Sequence, residues 1–189
     1  MSFLTEAELQ LVGCKSIGTH VLISRYARFY NAKEIIIGNH VRIDDFCIIS
    51  AGDKPFILED YIHISAGVKI YGQYGFHMKS FTNISVDSRV FTQSDDFSGE
   101  AMIGPMVDMS YRKVYGSPLV LEKHVVVGAG STILPGCVVG EGAAFGANSL
   151  LKGTYEPWCI YAGLPAKYIK QRSKRIQDLE KEHGNIEEQ

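Results

Sequence analysis

Residues 121–151 read LEKHVVVGAGSTILPGCVVGEGAAFGANSLL. A large apolar side chain recurs every six residues: Leu121, Val127, Ile133, Val139, Phe145 and Leu151. Four residues after each of the first five stands a smaller one: Val125, Ser131, Cys137, Ala143 and Ser149. A period of six excludes an amphipathic α-helix, whose apolar stripe returns every three or four residues. It fits short strands with alternating side chains and a corner once per hexad. One such strand cannot bury its own face. Stacked coils can, with their backbones hydrogen-bonded about 4.8 Å apart. The reading is an all-β solenoid.

Working outward, the beat returns in Ile17, Ile23 and Phe29, in Ile37, Ile43 and Ile49, and in Leu58, Ile64 and Ile70. Val21, Ala27, Val41, Cys47, Ile62 and Val68 hold the fourth places. Val86, Val90 and Thr92 form a weaker last piece before position 93. Two segments interrupt the pattern. Residues 71–81, YGQYGFHMKSF, read as a small aromatic bulge. Residues 93–117, QSDDFSGEAMIGPMVDMSYRKVYGS, read as a protruding loop, and a loop of that length in a compact repeat is usually functional or disordered. Thr5 and Glu8 have capping-box spacing, which predicts a short helix over 4–12 that Gly13 stops. After Pro165 the run AKYIKQRSKRIQDLEKEH predicts a helix with Tyr168, Ile169, Ile176 and Leu179 along one side. The organisation is an N-terminal helical cap (1–14), the solenoid (15–160), and a C-terminal motif with a helix (161–189).

Of the 189 residues, 46% are apolar, and the net charge of −2 gives no field that would draw nucleic acid or an anionic membrane. No apolar run approaches the roughly 18–20 residues of a membrane span. The N-terminus lacks the basic-then-apolar order of a signal peptide, so the expected compartment is the cytoplasm. Cys14, Cys47, Cys137 and Cys159 are widely spaced, form no CxxC, and read as small apolar fillers.

The hexads over roughly 17–151, together with YAGLPAKYIKQR at 161–172, resemble the hexapeptide-repeat acyltransferase superfamily, whose last coil is followed by G-x-P-A-[KR]-x-I. The resemblance implies a left-handed parallel β-helix with three hexads per coil. It implies a homotrimer in which the protruding loop reaches a neighbour and helps to form the active site. It also implies acetyl-CoA as acyl donor and a sugar as acceptor, in surface-polysaccharide biosynthesis. Carried over by position, main-chain groups of Ala129 and Ala147 would hold the pantetheine arm. Lys152, Lys167 and Lys170, beside the turn at Pro165, would meet the phosphates. Val126, Ile160 and the aromatic bulge would help to bury the subunit contact. Within the superfamily, the chain is similar to bacterial enzymes that acetylate dTDP-4-amino-4,6-dideoxyglucose.

Acyl transfer needs a base, or a nucleophile already uncharged, and groups that hold the thioester carbonyl. Many sugar acetyltransferases of the superfamily carry a histidine base in the loop; this chain has no histidine between positions 78 and 123. The loop offers Asp95, Asp96 and Glu100 instead. A carboxylate pair can bind an ammonium and accept its proton, and adjacent acids raise each other's proton affinity. The loop acids therefore point to an amino sugar, with Asp95 and Asp96 catalytic and Glu100 in substrate binding. His63, which should point outward from a strand, is the competing base, and His77 is placed in substrate binding. Either histidine as base would favour O-acetylation of a galactoside or polysaccharide sugar. His20, His40 and His124 share an outward corner place, and His183 lies in a charged tail; none clusters as a zinc site of the carbonic-anhydrase type would require. A non-catalytic scaffold is the reading of another class, and the terminal motif and acidic loop count against it.

Overall fold

The computed structural model describes residues 2–187. It is a left-handed parallel β-helix of about seven coils with three flat faces. The first face runs from Ser16–Ile17 to Thr154–Tyr155, the second from Leu22–Ile23 to Cys159–Ala162, and the third from Arg28–Tyr30 to Leu150–Leu151. Each coil pairs in parallel with the next, so like positions stack. The interior is therefore built of columns. Ile37, Leu58, Met78, Leu121 and Val139 line the first face. Ile23, Ile43, Ile64, Ile84 and Val127 line the second. Ile49, Ile70, Val90, Ile133 and Leu151 line the third. All are buried. Each contributes roughly 1.5–3 kcal/mol of apolar burial. The smaller residues at the fourth places, from Val125 to Ser149, are buried at the bends.

The segment 71–81 is not a bulge. Phe76–Met78 is a regular first-face strand, in register with Phe56–Leu58 below and Leu119–Leu121 above. The beat runs on through Met78, Ile84 and Val90, and Val86 faces outward. The hexad phase slips because extra residues enter at one vertex, where the third face returns to the first. Inward residues across that vertex are Phe29 and Ile37, Ile49 and Leu58, and Ile70 and Met78, each pair eight or nine positions apart instead of six. The long loop leaves the solenoid at this same vertex, between Arg89–Phe91 and Leu119–Leu121.

The vertex between the first and second faces carries a column of rings. His20, His40, Tyr61, Phe81, His124 and Trp158 all adopt φ between 54° and 62°. Successive centroids are 4.7, 4.6, 4.6, 5.5 and 5.9 Å apart. A left-handed conformation costs a non-glycine residue about 1–2 kcal/mol. A favourable ring pair returns about 0.5–1.5 kcal/mol, so stacking offsets much of that cost. Gly142 takes this place in the sixth coil, where a Cβ would strike the Trp158 ring.

Helix α1 (Glu6–Leu11) starts at the expected capping box: Glu8 N–H donates to Thr5 Oγ1, and Thr5 N–H to Glu8 Oε2 at 2.8 Å. The C-terminal expectation needs correction. Lys167–Gln171 is a strand, antiparallel to Cys159–Ala162 at the end of the second face, so Tyr168 and Ile169 are not helical. The exposed edge of the last coil offers unpaired backbone groups, and this return strand takes them up. Helix α2 (Arg175–Glu187) begins only afterwards. It lies along the ring column, where Glu180 accepts from Lys123 at 2.5 Å and from His124 at 2.9 Å. His124 keeps the expected corner place but is covered there by α2 and is 1% exposed, and His183 sets its ring edge-on to Tyr61.

Candidate active site

The loop opens on a short antiparallel hairpin, Gln93–Asp95 against Val114–Gly116, a two-stranded sheet separate from the three faces. Its root is fixed by Tyr74 N–H donating to Thr92 Oγ1 at 2.9 Å and Ser117 N–H to Thr92 O at 3.0 Å. Gly116 passes directly over the Tyr74 ring, where a Cβ would overlap the ring atoms.

The two adjacent acids have different surroundings. Asp96 is 6% exposed and accepts from the N–H groups of Ser98, Gly99, Glu100 and Ala101 and from the Ser98 hydroxyl. The Ser98 hydroxyl first, and then these backbone donors, hold its carboxyl below the usual range against the effect of desolvation. The mutual rise in proton affinity expected of Asp95 and Asp96 is therefore not found at Asp96. That side chain folds the loop tip around itself. Asp95, at the hairpin end, has a side chain 35% exposed and meets Arg112 Nη2 at 3.5 Å. Its second oxygen has no partner in the chain among the described residues. Glu100 lies on an open cleft of about 520 Å³ between residues 99–102 and 110–113.

His63 faces outward on the second face, its Nε2 2.7 Å from Asp44 Oδ2, with Arg42 and Asn83 in register on either side. Partial burial raises the proton affinity of Asp44, but His63 and then Arg42 outweigh it and keep the carboxyl low. His77 stands on the first face, Nε2 2.7 Å from Glu59 Oε1, beside a cleft of about 380 Å³ at the loop root. The loop leaves at the vertex opposite the second face. One chain therefore brings His77 near the loop root but keeps His63 away from Asp95.

Of the residues assigned to the coenzyme, Ala129 and Ala147 lie on the vertex between the second and third faces. Among the described residues their N–H groups make no hydrogen bond within the chain, while the Ala129 carbonyl accepts from Asn148 at 2.7 Å. The turn holding Pro165 docks on the same edge, with Leu150 N–H donating to Gly163 O and Ala166 N–H to Leu150 O. Lys167, exposed, follows directly. Lys152 is exposed at the far end of the third face, and Lys170 sits along the second face opposite Ile160. Among the described residues no three His, Cys, Asp or Glu side chains group as a metal site.

Sequence reasoning missed Asp44, which orients His63. It also missed Tyr74 under the hairpin. Ser85 lies one coil above Ser65 on the second face. None has a spacing signal; each is defined by what stacks beside it.

A model of the bacterial transferase hexapeptide family, six repeats, matches residues 118–153. The chain is 39% identical to dTDP-4-amino-4,6-dideoxy-D-glucose acyltransferase of Escherichia coli, over 95% of this chain and 94% of that protein. The chain belongs to the hexapeptide-repeat acyltransferase family. It is accordingly an acyl-transfer enzyme. Among solved structures, AntD, an N-acyltransferase from Bacillus cereus in complex with dTDP and 3-hydroxybutyryl-CoA, superposes with a TM-score of 0.94 at 42% identity, covering 100% of this chain and 99% of that one. A serine variant of AntD was solved with dTDP-4-amino-4,6-dideoxyglucose and coenzyme A. It has the same TM-score and identity and covers 98% of each chain. An aspartate ten positions beyond that serine was also varied in AntD.

Proposed function

We propose that the chain transfers an acetyl group from acetyl-CoA to the 4-amino group of a dTDP-linked 4-amino-4,6-dideoxy sugar, in a cytoplasmic step of surface-polysaccharide biosynthesis. The observation that carries this reading is Asp95: a loop carboxylate with one oxygen free, where a histidine base is absent. An amine is nucleophilic once deprotonated, so a proton acceptor of modest strength suffices. The serine and aspartate varied in AntD lie ten residues apart, as Ser85 and Asp95 do here, which supports assigning the pair to the acceptor. Ser85 and Asp95 sit on opposite sides of the triangular section, so they can meet only across subunits. A homotrimer in which each loop covers its neighbour's second face supplies that meeting. His63 and Ser85 would then line the neighbour's side of the cleft.

A thiol-release assay tests the reading, with acetyl-CoA and 3-hydroxybutyryl-CoA as donors against dTDP-4-amino-4,6-dideoxyglucose and free galactosides. Turnover of the nucleotide amino sugar with acetyl-CoA is expected. Preference for a galactoside would instead favour O-acetylation, which the His63–Asp44 pair could serve. Sedimentation as a stable monomer at micromolar concentration would remove the intersubunit site.

The coenzyme is assigned to the edge of Ala129, Ala147 and Pro165, whose free N–H groups suit the pantetheine amides. Lys167 would meet the phosphates there. Lys167→Ala should raise the KM for acetyl-CoA several-fold and leave that for the sugar unchanged. The parent enzyme should favour acetyl-CoA over its 3′-dephospho analogue more than the variant does. Equal discrimination by both would place the phosphates elsewhere, with Lys170 and Lys152 next to be tried.

A further inference from the structure

Arg112 is poorly satisfied for a guanidinium. Its side chain is 13% exposed, and its Nε is buried without a partner among the described residues. Nη1 reaches only the thioether of Met109, at 3.5 Å, and Nη2 reaches Asp95 at 3.5 Å. Charge-assisted N–H···O bonds are about 2.7–2.9 Å long, so this pair is loose. Two other arginines of the chain show what tight bonding looks like. Arg25 clasps Glu8 through two bonds of 2.6 Å, and Arg172 Nη1 donates to two carbonyls at 2.7 and 2.9 Å. Five donors fixed in a fork, largely removed from water and scarcely used, are costly unless an anion arrives. Arg112 also lines the 520 Å³ loop cleft, with Lys113 beside it as a second cation held 5.1 Å over the Tyr115 ring. The opposite wall offers Glu100 and the backbone of Gly99 and Ala101.

We propose that Arg112 recognises the diphosphate of the acceptor and changes partners on binding, leaving Asp95 for the phosphates and thereby freeing Asp95 for the sugar ammonium. The inference rests on the nucleotide-sugar reading above. In the free protein the two charges face each other weakly. The acceptor carries an anion at one end of the sugar and a cation at the other. Each residue thus exchanges one weak partner for one strong partner, and no charge is stranded. A guanidinium fork matches phosphate oxygens bidentately, which a carboxylate held at 3.5 Å from one nitrogen does not exploit. The exchange also gives selectivity. A free amino sugar brings no anion to draw Arg112 away, so Asp95 stays partly engaged.

The test is calorimetric titration of dTDP, which carries the diphosphate but no amine, into the assembled protein with coenzyme A present. Arg112→Gln should weaken dTDP binding at least tenfold, and Arg112→Lys should weaken it less. Asp95→Asn should leave it unchanged or tighten it, because the competing carboxylate is gone. Coenzyme A affinity, measured alongside, should stay at the parent value and so report an intact fold. If Arg112→Gln binds dTDP as the parent does, Arg112 merely props the loop and the exchange is overturned. If Asp95→Asn loses dTDP affinity as strongly as Arg112→Gln, the two act as one fixed pair, which also overturns it. A parent that binds coenzyme A but no dTDP would overturn the nucleotide-sugar reading and this inference with it.

Discussion

Asp95→Asn should lower kcat/KM for the amino-sugar nucleotide by at least about a hundredfold, the lower end for loss of a general base. Asparagine keeps the shape, so the hairpin and its pairing with Val114 remain in register. What disappears is a carboxylate at the hairpin end that faces Arg112 through one oxygen and keeps the other free. The loss should be larger below neutral pH, where more of the amine arrives protonated and must be held and deprotonated. Asp96→Asn is the internal comparison. Its oxygens serve the backbone at residues 98–101, so that change should loosen the loop tip and lower thermal stability of the loop as well as rate. His63→Ala decides between acceptor chemistries. A complete loss there beside a mild Asp95→Asn effect would make the histidine the base and restore O-acetylation. Mild effects at all three positions would mean that positioning alone carries the reaction.

Gly116→Ala should cost a similar factor by a different route. The added methyl has no room above the Tyr74 ring, so the hairpin must lift at its root and carry Asp95 with it. A misplacement of about 1 Å can cost about a hundredfold in rate. The solenoid should be indifferent, since neither residue belongs to its interior, and the melting temperature should stay within a few degrees of the parent. The double change Gly116→Ala with Tyr74→Ala removes the obstacle and should be no worse than Tyr74→Ala alone. A double variant as inactive as Gly116→Ala would show that the ring is not what sets the loop's height.

The solenoid is legible because one column of apolar side chains answers to one place in a hexad, and residues 121–151 repeat that place without interruption. The phase slips earlier in the chain are not legible, because an extra residue at a vertex looks the same as a broken strand. That is why 71–81 reads as a bulge. The return strand Lys167–Gln171 is hidden by composition: its residues form helices well, and only the unpaired edge beside them calls for a strand. The loop's importance is visible in its length and acids, yet the division of labour inside it is not. Asp95 and Asp96 are neighbours of one type, separated only by which backbone donors each meets. The outward direction of His63 follows from the alternation, while its distance from the loop depends on which vertex the loop leaves.

The two ends of the column of coils are held unequally. The first coil is covered by α1, which buries only Leu9, and it exposes Leu11 and Leu22. The last coil is closed by a return strand, by Arg172 bonded into two carbonyls, and by α2 anchored two coils back at His124. Each coil touches only its neighbours, so opening is governed locally and not by the molecule as a whole. Unravelling is therefore expected to begin at the amino end and work upward, so that the edge assigned to the coenzyme lets go last, an order that hydrogen exchange would read. The amino-terminal coils are thus expected to breathe or change in sequence while the carboxy-terminal coils stay assembled.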